Sequence, residues 1–287
     1  MTGILKNMVN NTEAIRICGL SHWYEPGRII LEGINLSIAE GAFTAIIGRN
    51  GSGKTTLMKN ISGLLRPGQG EIFIRGKNTT RADASEIAKE AGYVMQDHDN
   101  QLFEQTVFDE VAFSLKRKFS KKEINEKVEE ALEITGLLDK KEAFPPALPR
   151  VDRAKVVFAA VLAMNTGILL LDEPIAGQDS RGCRMIMDII AGLHQKGKTV
   201  LLITHNINVA ARYAKRIIVM KNGRVDMDGG PEIFGQREKL AEAGILAPQI
   251  TRLSQDLRAS LPLEKDALTP EELASMLVPT CSCSTCR

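Results

Sequence analysis

Apolar positions along the chain fall into three patterns, and each predicts a different element. Three runs are continuous: Phe43-Thr44-Ala45-Ile46-Ile47, Ile168-Leu169-Leu170-Leu171 and Val200-Leu201-Leu202-Ile203. Unbroken apolarity of that length fits strands of a parallel sheet covered on both faces. Other stretches alternate. Ile34, Leu36 and Ile38 against Asn35, Ser37 and Ala39 suit a half-buried antiparallel strand, and Ala14 to Cys18 and Glu71 to Gly76 read likewise. Turns fall at Glu25-Pro26-Gly27 and Pro67-Gly68-Gln69-Gly70. The third pattern is helical. Val107, Phe108, Val111, Ala112 and Leu115 share a face, and a charged helix from Lys121 to Thr135 stops at Gly136. A short helix closes between Ile87 and Gly92, and Tyr93-Val94-Met95-Gln96 reads as a strand. Val156 to Leu171 is broken by Asn165-Thr166-Gly167 and is shorter than the ~18 apolar residues of a membrane span. It reads as a buried helix, a turn and a buried strand. The expected fold class is α/β: a mainly parallel core sheet with helices on both faces, an antiparallel β subdomain and a helical subdomain near 100–165.

The residues just after each continuous run carry the chemistry. After Ile47 comes Gly48-Arg49-Asn50-Gly51-Ser52-Gly53-Lys54-Thr55, then Thr56. Two glycines with four residues between them, with Lys and Thr next and a strand and a helix on either side, form a phosphate-cradling loop. Backbone N–H groups and the helix N-terminus converge there on one anion. Gly51 and Gly53 admit the phosphate oxygens, Lys54 reaches the β- and γ-phosphates, and the Thr55 hydroxyl suits Mg²⁺. A nucleoside triphosphate is therefore the expected ligand. Leu171 leads into Asp172-Glu173-Pro174, two carboxylates at the end of a parallel strand where such sheets place ligands. Asp172 suits Mg²⁺ and Glu173 suits polarising a water. Ile203 leads into Thr204-His205, which sets His205 at the same sheet edge, in reach of a γ-phosphate. Gln96, at a strand end, either orients water, completes a metal shell or is simply solvated. Tyr24, just upstream of the loop, either packs in a core or stacks on a nucleobase.

Composition narrows the picture less. The 287 residues carry 37 Lys and Arg against 35 Asp and Glu, so no bulk charge argues for nucleic acid or an anionic membrane. Of five cysteines, Cys18 and Cys183 stand alone and Cys281, Cys283 and Cys286 crowd the end, unlike a secreted disulfide framework. Met1 to Arg16 lacks the apolar core of a signal peptide. Work at a membrane is expected to proceed through a partner, and Leu102, Phe103 and Phe108 would be costly to expose without one.

Taken in order, Tyr24, the phosphate loop, Gln96, Leu169-Leu170-Leu171-Asp172-Glu173-Pro174, Gly177-Gln178-Asp179-Ser180 and His205 resemble the nucleotide-binding subunit of ATP-binding cassette (ABC) transporters, a P-loop NTPase fold, across about residues 14–235. Gln101-Leu102-Phe103, Thr106 to Phe113 and the extension from Gly244 to Glu272 are similar to energy-coupling factor ATPases, which drive import of vitamins or metal ions. The resemblance implies ATP and Mg²⁺ as ligands and the cytoplasmic membrane face as location, with residues 236–287 as a C-terminal extension. It implies that Tyr24 stacks on adenine, that Gln96 contacts Mg²⁺ and relays to an integral membrane subunit, that Glu173 is general base and His205 the γ-phosphate switch, and that Asp179 communicates across a dimer. Each ATP would lie between one subunit's phosphate loop and the other's signature, normally Leu-Ser-Gly-Gly-Gln.

Here the signature position reads Leu148-Pro149-Arg150-Val151-Asp152. Pro149 supplies neither N–H nor hydroxyl, Val151 adds bulk, and Asp152 brings a negative charge near phosphate that Arg150 offsets only in part. The composite site using this segment is expected to be crippled, while the site on this chain's own Lys54, Glu173 and His205 stays complete. The expected assembly is then a heterodimer with a signature-intact second ABC ATPase subunit. Ile175, Gln178 and Ser180 also depart from the family pattern without removing a reacting group. A regulatory module that holds ATP without turnover is the second reading, disfavoured by the intact Glu173 and His205. The terminal cysteines are either a soft-metal site short of four ligands or incidental thiols.

Overall fold

Side chains alternate across a sheet, so each continuous apolar run must serve two cores at once. The computed structural model describes residues 13–116, 118–263 and 265–277. Its strands are β1 (Glu13–Trp23), β2 (Ile29–Ala39), β3 (Phe43–Gly48), β4 (Gln69–Ile74), β5 (Lys77–Asn78), β6 (Ala91–Val94), β7 (Ile168–Asp172), β8 (Thr199–Ile203), β9 (Arg216–Lys221) and β10 (Arg224–Gly229). The smaller sheet is antiparallel in the order β2-β1-β4-β5, and the larger runs β10-β9-β3-β8-β7-β6, parallel apart from β10. Its helices are α1 (Lys54–Ile61), α2 (Ala84–Glu90), α3 (Val107–Ala112), α4 (Lys121–Thr135), α5 (Arg150–Ala163), α6 (Ser180–Gln195), α7 (Ile207–Tyr213), α8 (Arg237–Glu242), α9 (Gln249–Leu257) and α10 (Pro270–Leu277).

The division of faces is visible residue by residue. Ala45, Ile47, Leu169, Leu171, Val200 and Leu202 pack against Phe158 of α5, Ile186 and Ile190 of α6 and Ala210 of α7. Ile46, Ile168, Leu170, Leu201 and Ile203 face the other way, onto Leu57, Met58 and Ile61 of α1 and the inner face of the antiparallel sheet. A third core joins α3, α4 and one side of α5 through Val111, Val128, Leu132, Val156 and Ala159. Helix α4 is stopped at both ends as expected: Ser120 and Glu123 form a capping box, and Gly136 takes the left-handed conformation.

Some boundaries differ from the sequence expectation. Strand β1 continues past Cys18 to Trp23, because Gly19 at φ +61° bulges the strand and its N–H is taken up by Asn35 Oδ1 at 2.8 Å. Helix α2 ends at Glu90, since Ala91 and Gly92 pair with Ile168 and Leu169 and Gly92 abuts Val161 with no room for a Cβ. The chain after β10 packs back on the larger sheet: Leu240, Ala243, Ile245 and Ala247 are buried in the core that holds Phe43 and Val219. Cys281, Cys283 and Cys286 lie outside the described residues.

Candidate functional site

Parallel pairing sets the site. Ile46 on β3 pairs with Ile203 on β8, and Ile203 pairs with Asp172 on β7, so the three strands end level with one another. The loop after β3, the carboxylates after β7 and the imidazole after β8 therefore meet at one sheet edge.

Strand β3 is buried at every position between β8 and β9, and the loop leaves it through Gly48. Gly51 and Gly53 adopt φ +82° and +98°, the left-handed region that glycine enters without steric cost. Gly53 also lies against Ile30 and Leu31 of β2, so the antiparallel sheet braces the start of α1. Lys54 is buried and folds back to donate to the carbonyls of Gly48 at 2.9 Å and Arg49 at 3.0 Å. Burial pulls its ammonium pKa down, and the charges of Glu173 and Asp172 pull it back.

Asp172 is fully buried, and burial raises its carboxyl pKa against the neighbouring Thr55 and Tyr93 hydroxyls and the charge of Lys54. Its Oδ1 and the Ser52 hydroxyl are buried without a hydrogen-bond partner among the described residues. A buried anionic oxygen without a donor is costly, so these atoms fit an added cation and phosphate. Thr55 and Asp172 are thus the residues that can hold a hard cation beside a phosphate. Glu173 sits at φ +50°, anchored by its N–H to Ile203 O at 3.0 Å. Burial raises its pKa, opposed first by His205, whose Nδ1 lies 2.8 Å from Oε2. A carboxylate only accepts, so Nδ1 carries the proton in that contact. The imidazole itself is largely exposed.

A cleft of about 520 Å³ brings together Tyr24, Asn50, Gly51, Gly53, Lys54, Thr55, Thr56, Gln96, Asp172 and Glu173. Tyr24 is 57% exposed, with its hydroxyl 3.2 Å from the Thr56 Oγ1. It stands at the cleft wall rather than in a core, which removes the packing alternative read from sequence.

Other named residues lie elsewhere. Asp179 caps α6, accepting from Gly182 N–H at 2.7 Å. Leu148 to Asp152 form the entry to α5, with Pro149 as its cap residue, and do not line the cleft. The expectation that the charge of Asp152 is offset in part, by Arg150, is corrected by its surroundings. Its carboxylate is buried between Lys140 Nζ at 2.7 Å and Lys155 Nζ at 3.5 Å. Arg150 is not the compensating charge: its guanidinium lies against Gly177, and its carbonyl accepts from Gln178 Nε2 at 3.4 Å.

Sequence reasoning passes over Tyr93, whose hydroxyl donates to Asp172 Oδ2 at 3.3 Å. Burial and the neighbouring carboxylate push its pKa up, so it stays a donor. The signal for it is a polar-tipped aromatic on a strand, but the register that aims it at Asp172 is a tertiary fact.

Comparison with known proteins agrees with this geometry. Residues 31–176 match the family model of the ABC transporter. The energy-coupling factor transporter ATP-binding protein EcfA2 of Acetivibrio thermocellus is 39% identical over 280 residues, covering 92% of this chain and 99% of that protein. A putative ABC transporter ATP-binding protein of Methanosarcina acetivorans is 38% identical over 97% of this chain, which spans 46% of that longer relative. Among solved structures, cbiO1 from Clostridium perfringens, part of the ABC transporter complex cbiONQ, superposes with a TM-score of 0.73 at 32% identity, covering 88% of this chain and 96% of that one. The phosphate loop, the acid pair and the histidine at one sheet edge, in a chain this similar to those proteins, make it a member of the ABC transporter ATP-binding family, of the energy-coupling factor type.

Proposed function

We propose that this chain is the ATP-binding and hydrolysing subunit of a membrane importer of the energy-coupling factor type, peripheral on the cytoplasmic face, with residues 14–235 as the cassette and 236–287 as its extension. The observation that carries this is the level ending of β3, β7 and β8, which holds Lys54, Asp172, Glu173 and the Glu173–His205 contact in one place. Tyr24 stacks on the adenine from the cleft wall, and Gly48 to Thr56 cradle the phosphates, with Lys54 exchanging its loop carbonyls for phosphate oxygens. Thr55, Gln96 and Asp172 are the residues that would hold Mg²⁺, which would supply neutralisation of phosphate charge. Glu173 takes a proton from water as that oxygen attacks the γ-phosphorus and the bond to the β-phosphate oxygen breaks. Its burial makes it a stronger base than a solvated carboxylate, and His205 fixes its orientation and meets the γ-phosphate.

Among the described residues no helix is long and apolar enough to cross a membrane. The transported substrate, on this reading, passes through an integral membrane partner. An apolar groove of about 450 Å³ between α5 and the segment after Gln96 fits a helical element of that membrane subunit. Phe103 and Phe113 stand at it, 59% and 52% exposed, in edge contact at 4.7 Å. Two touching aromatics beside an apolar groove form a contiguous patch of the kind that marks an interaction surface.

The second ATPase subunit is a signature-intact paralogue. Pro149 and Val151 remove the donors and the close approach that the family signature offers, and Asp152 is engaged inside its own subunit. In such a heterodimer the productive site joins this chain's phosphate loop to the paralogue's signature, with Asp179 and its loop at the boundary. ATP turnover by the purified chain, alone and with that paralogue, tests the reading. Tight binding alone and turnover only in the mixture is expected; robust turnover alone would show that the altered signature still works in a homodimer.

A further inference from the structure

We propose that Tyr93 is a positioning residue of the nucleotide site, one that commits Oδ2 of Asp172 to the protein and leaves Oδ1 to meet the divalent cation. The inference rests on the reading of Asp172 as a cation-holding carboxylate. The phenol oxygen lies 3.3 Å from Oδ2, and the phenol is the donor because a carboxylate only accepts. Oδ1 is buried and has no partner among the described residues. The terminal torsion of an aspartate is broad, so a carboxylate without a donor on one oxygen swings the plane that carries the other. The Tyr93 bond narrows that swing and holds the free oxygen in one direction.

The tie is built into the sheet. Tyr93 on β6 pairs with Leu170 on β7, and Asp172 lies two residues further on, on the same face. The ring packs on the core that contains Leu170, so its polar tip arrives beside the carboxylate. A phenylalanine would fill the same apolar space, and the hydroxyl adds only the bond to Asp172. Strand β6 is the edge of the larger sheet, yet its outer side is held. Met95 N–H donates to Gln101 Oε1 at 2.9 Å, and Gln101 Nε2 donates to Tyr93 O at 3.4 Å. One carboxamide thus takes the place of a missing neighbour strand on both sides of Val94 and steadies the backbone that carries the phenol.

The test is Tyr93→Phe in the full chain, which keeps the ring and deletes the donor. Binding of a fluorescent, non-hydrolysable ATP analogue is measured in EDTA and across a Mg²⁺ titration. The expected result is analogue affinity in EDTA within about twofold of wild type, with the Mg²⁺ concentration at half-effect raised about tenfold or more, the loss typical of one hydrogen bond to a charged group. A Mg²⁺ midpoint equal to wild type would overturn the proposal. Equal loss of affinity with and without Mg²⁺ would also overturn it, by making Tyr93 a packing residue. Wild-type binding that ignores Mg²⁺ altogether would overturn the cation-site reading and this proposal with it.

Discussion

Two regions of this molecule handle buried charge in opposite ways. At the sheet edge Asp172 keeps an oxygen without a donor, Glu173 holds a left-handed backbone, and Lys54 reaches only loop carbonyls. At the head of α5 a buried carboxylate is answered at once, by Lys140 and Lys155 around Asp152. The first region carries costs that a ligand removes. The second answers its buried carboxylate within the subunit. The same chemical groups therefore read as a site in one place and as structure in the other, and satisfaction of the polar atoms is what separates them.

Glu173→Gln breaks the first region most sharply. In the assembled transporter, turnover should fall by at least ~100-fold while ATP-Mg²⁺ binding persists, because the proton acceptor is lost and the volume is kept. Phosphate release and nucleotide binding, measured on one preparation, check it. Asp152→Ala attacks the second region. It leaves Lys155, a side chain 7% exposed, without its carboxylate and should destabilise the fold by about 3 kcal/mol in urea unfolding. Lys140→Ala, at a side chain 38% exposed, should cost far less. Equal small losses would mean that Asp152 is not a structural ion pair.

The same contrast explains which parts are legible in the sequence. Phosphate loop, acid pair and histidine each follow a short continuous apolar run, and a run that short reads as a strand covered on both faces, where the longer run in α5 reads as a buried helix. The capping box of Ser120 and Glu123 and the stop at Gly136 are equally local, so α4 ends where the sequence says. Strand order is different: that β3 lies between β9 and β8 is decided by crossovers, and no local pattern carries it. The Gly19 bulge, the Gly92 contact with Val161 and the Tyr93 bond to Asp172 all depend on which strand is the neighbour. The environment of Asp152 is illegible for the same reason, because Lys140 reaches it from twelve residues away in the sequence, across the turn before α5.

Restoring the signature sharpens the contrast from the other side. Pro149→Ser, Arg150→Gly and Val151→Gly together return a hydroxyl and room for backbone donors, while Asp152 stays to keep its lysines paired. Turnover by this chain without the paralogue should then rise by at least about tenfold, a part of the ~100-fold that one well-placed donor contributes. No rise would mean that the defect lies in the ion-paired geometry of α5 rather than in the missing donors.

The smallest expected effect concerns stability and pH. Burial penalises the ionised Glu173 more than His205 and Lys54 favour it, so the folded state holds that proton to higher pH than the unfolded chain, whose ordinary value is 4.5. Between the two values the folded protein binds more protons, and its stability falls as pH rises. Above both the penalty is complete; below 4.5 both states are protonated and it vanishes. Glu173→Gln removes the ionisation and keeps an oxygen that accepts from His205 Nδ1. Without nucleotide and in EDTA, the variant's Tm should therefore exceed wild type by on the order of 2 °C near pH 8, with the gain shrinking to nothing near pH 4. A gain of the same size at both pH values would locate the cost in packing. A loss near pH 8 would mean that the pair with His205 outweighs burial, and the sheet edge would then resemble the head of α5 more than the orphaned oxygen of Asp172 implies.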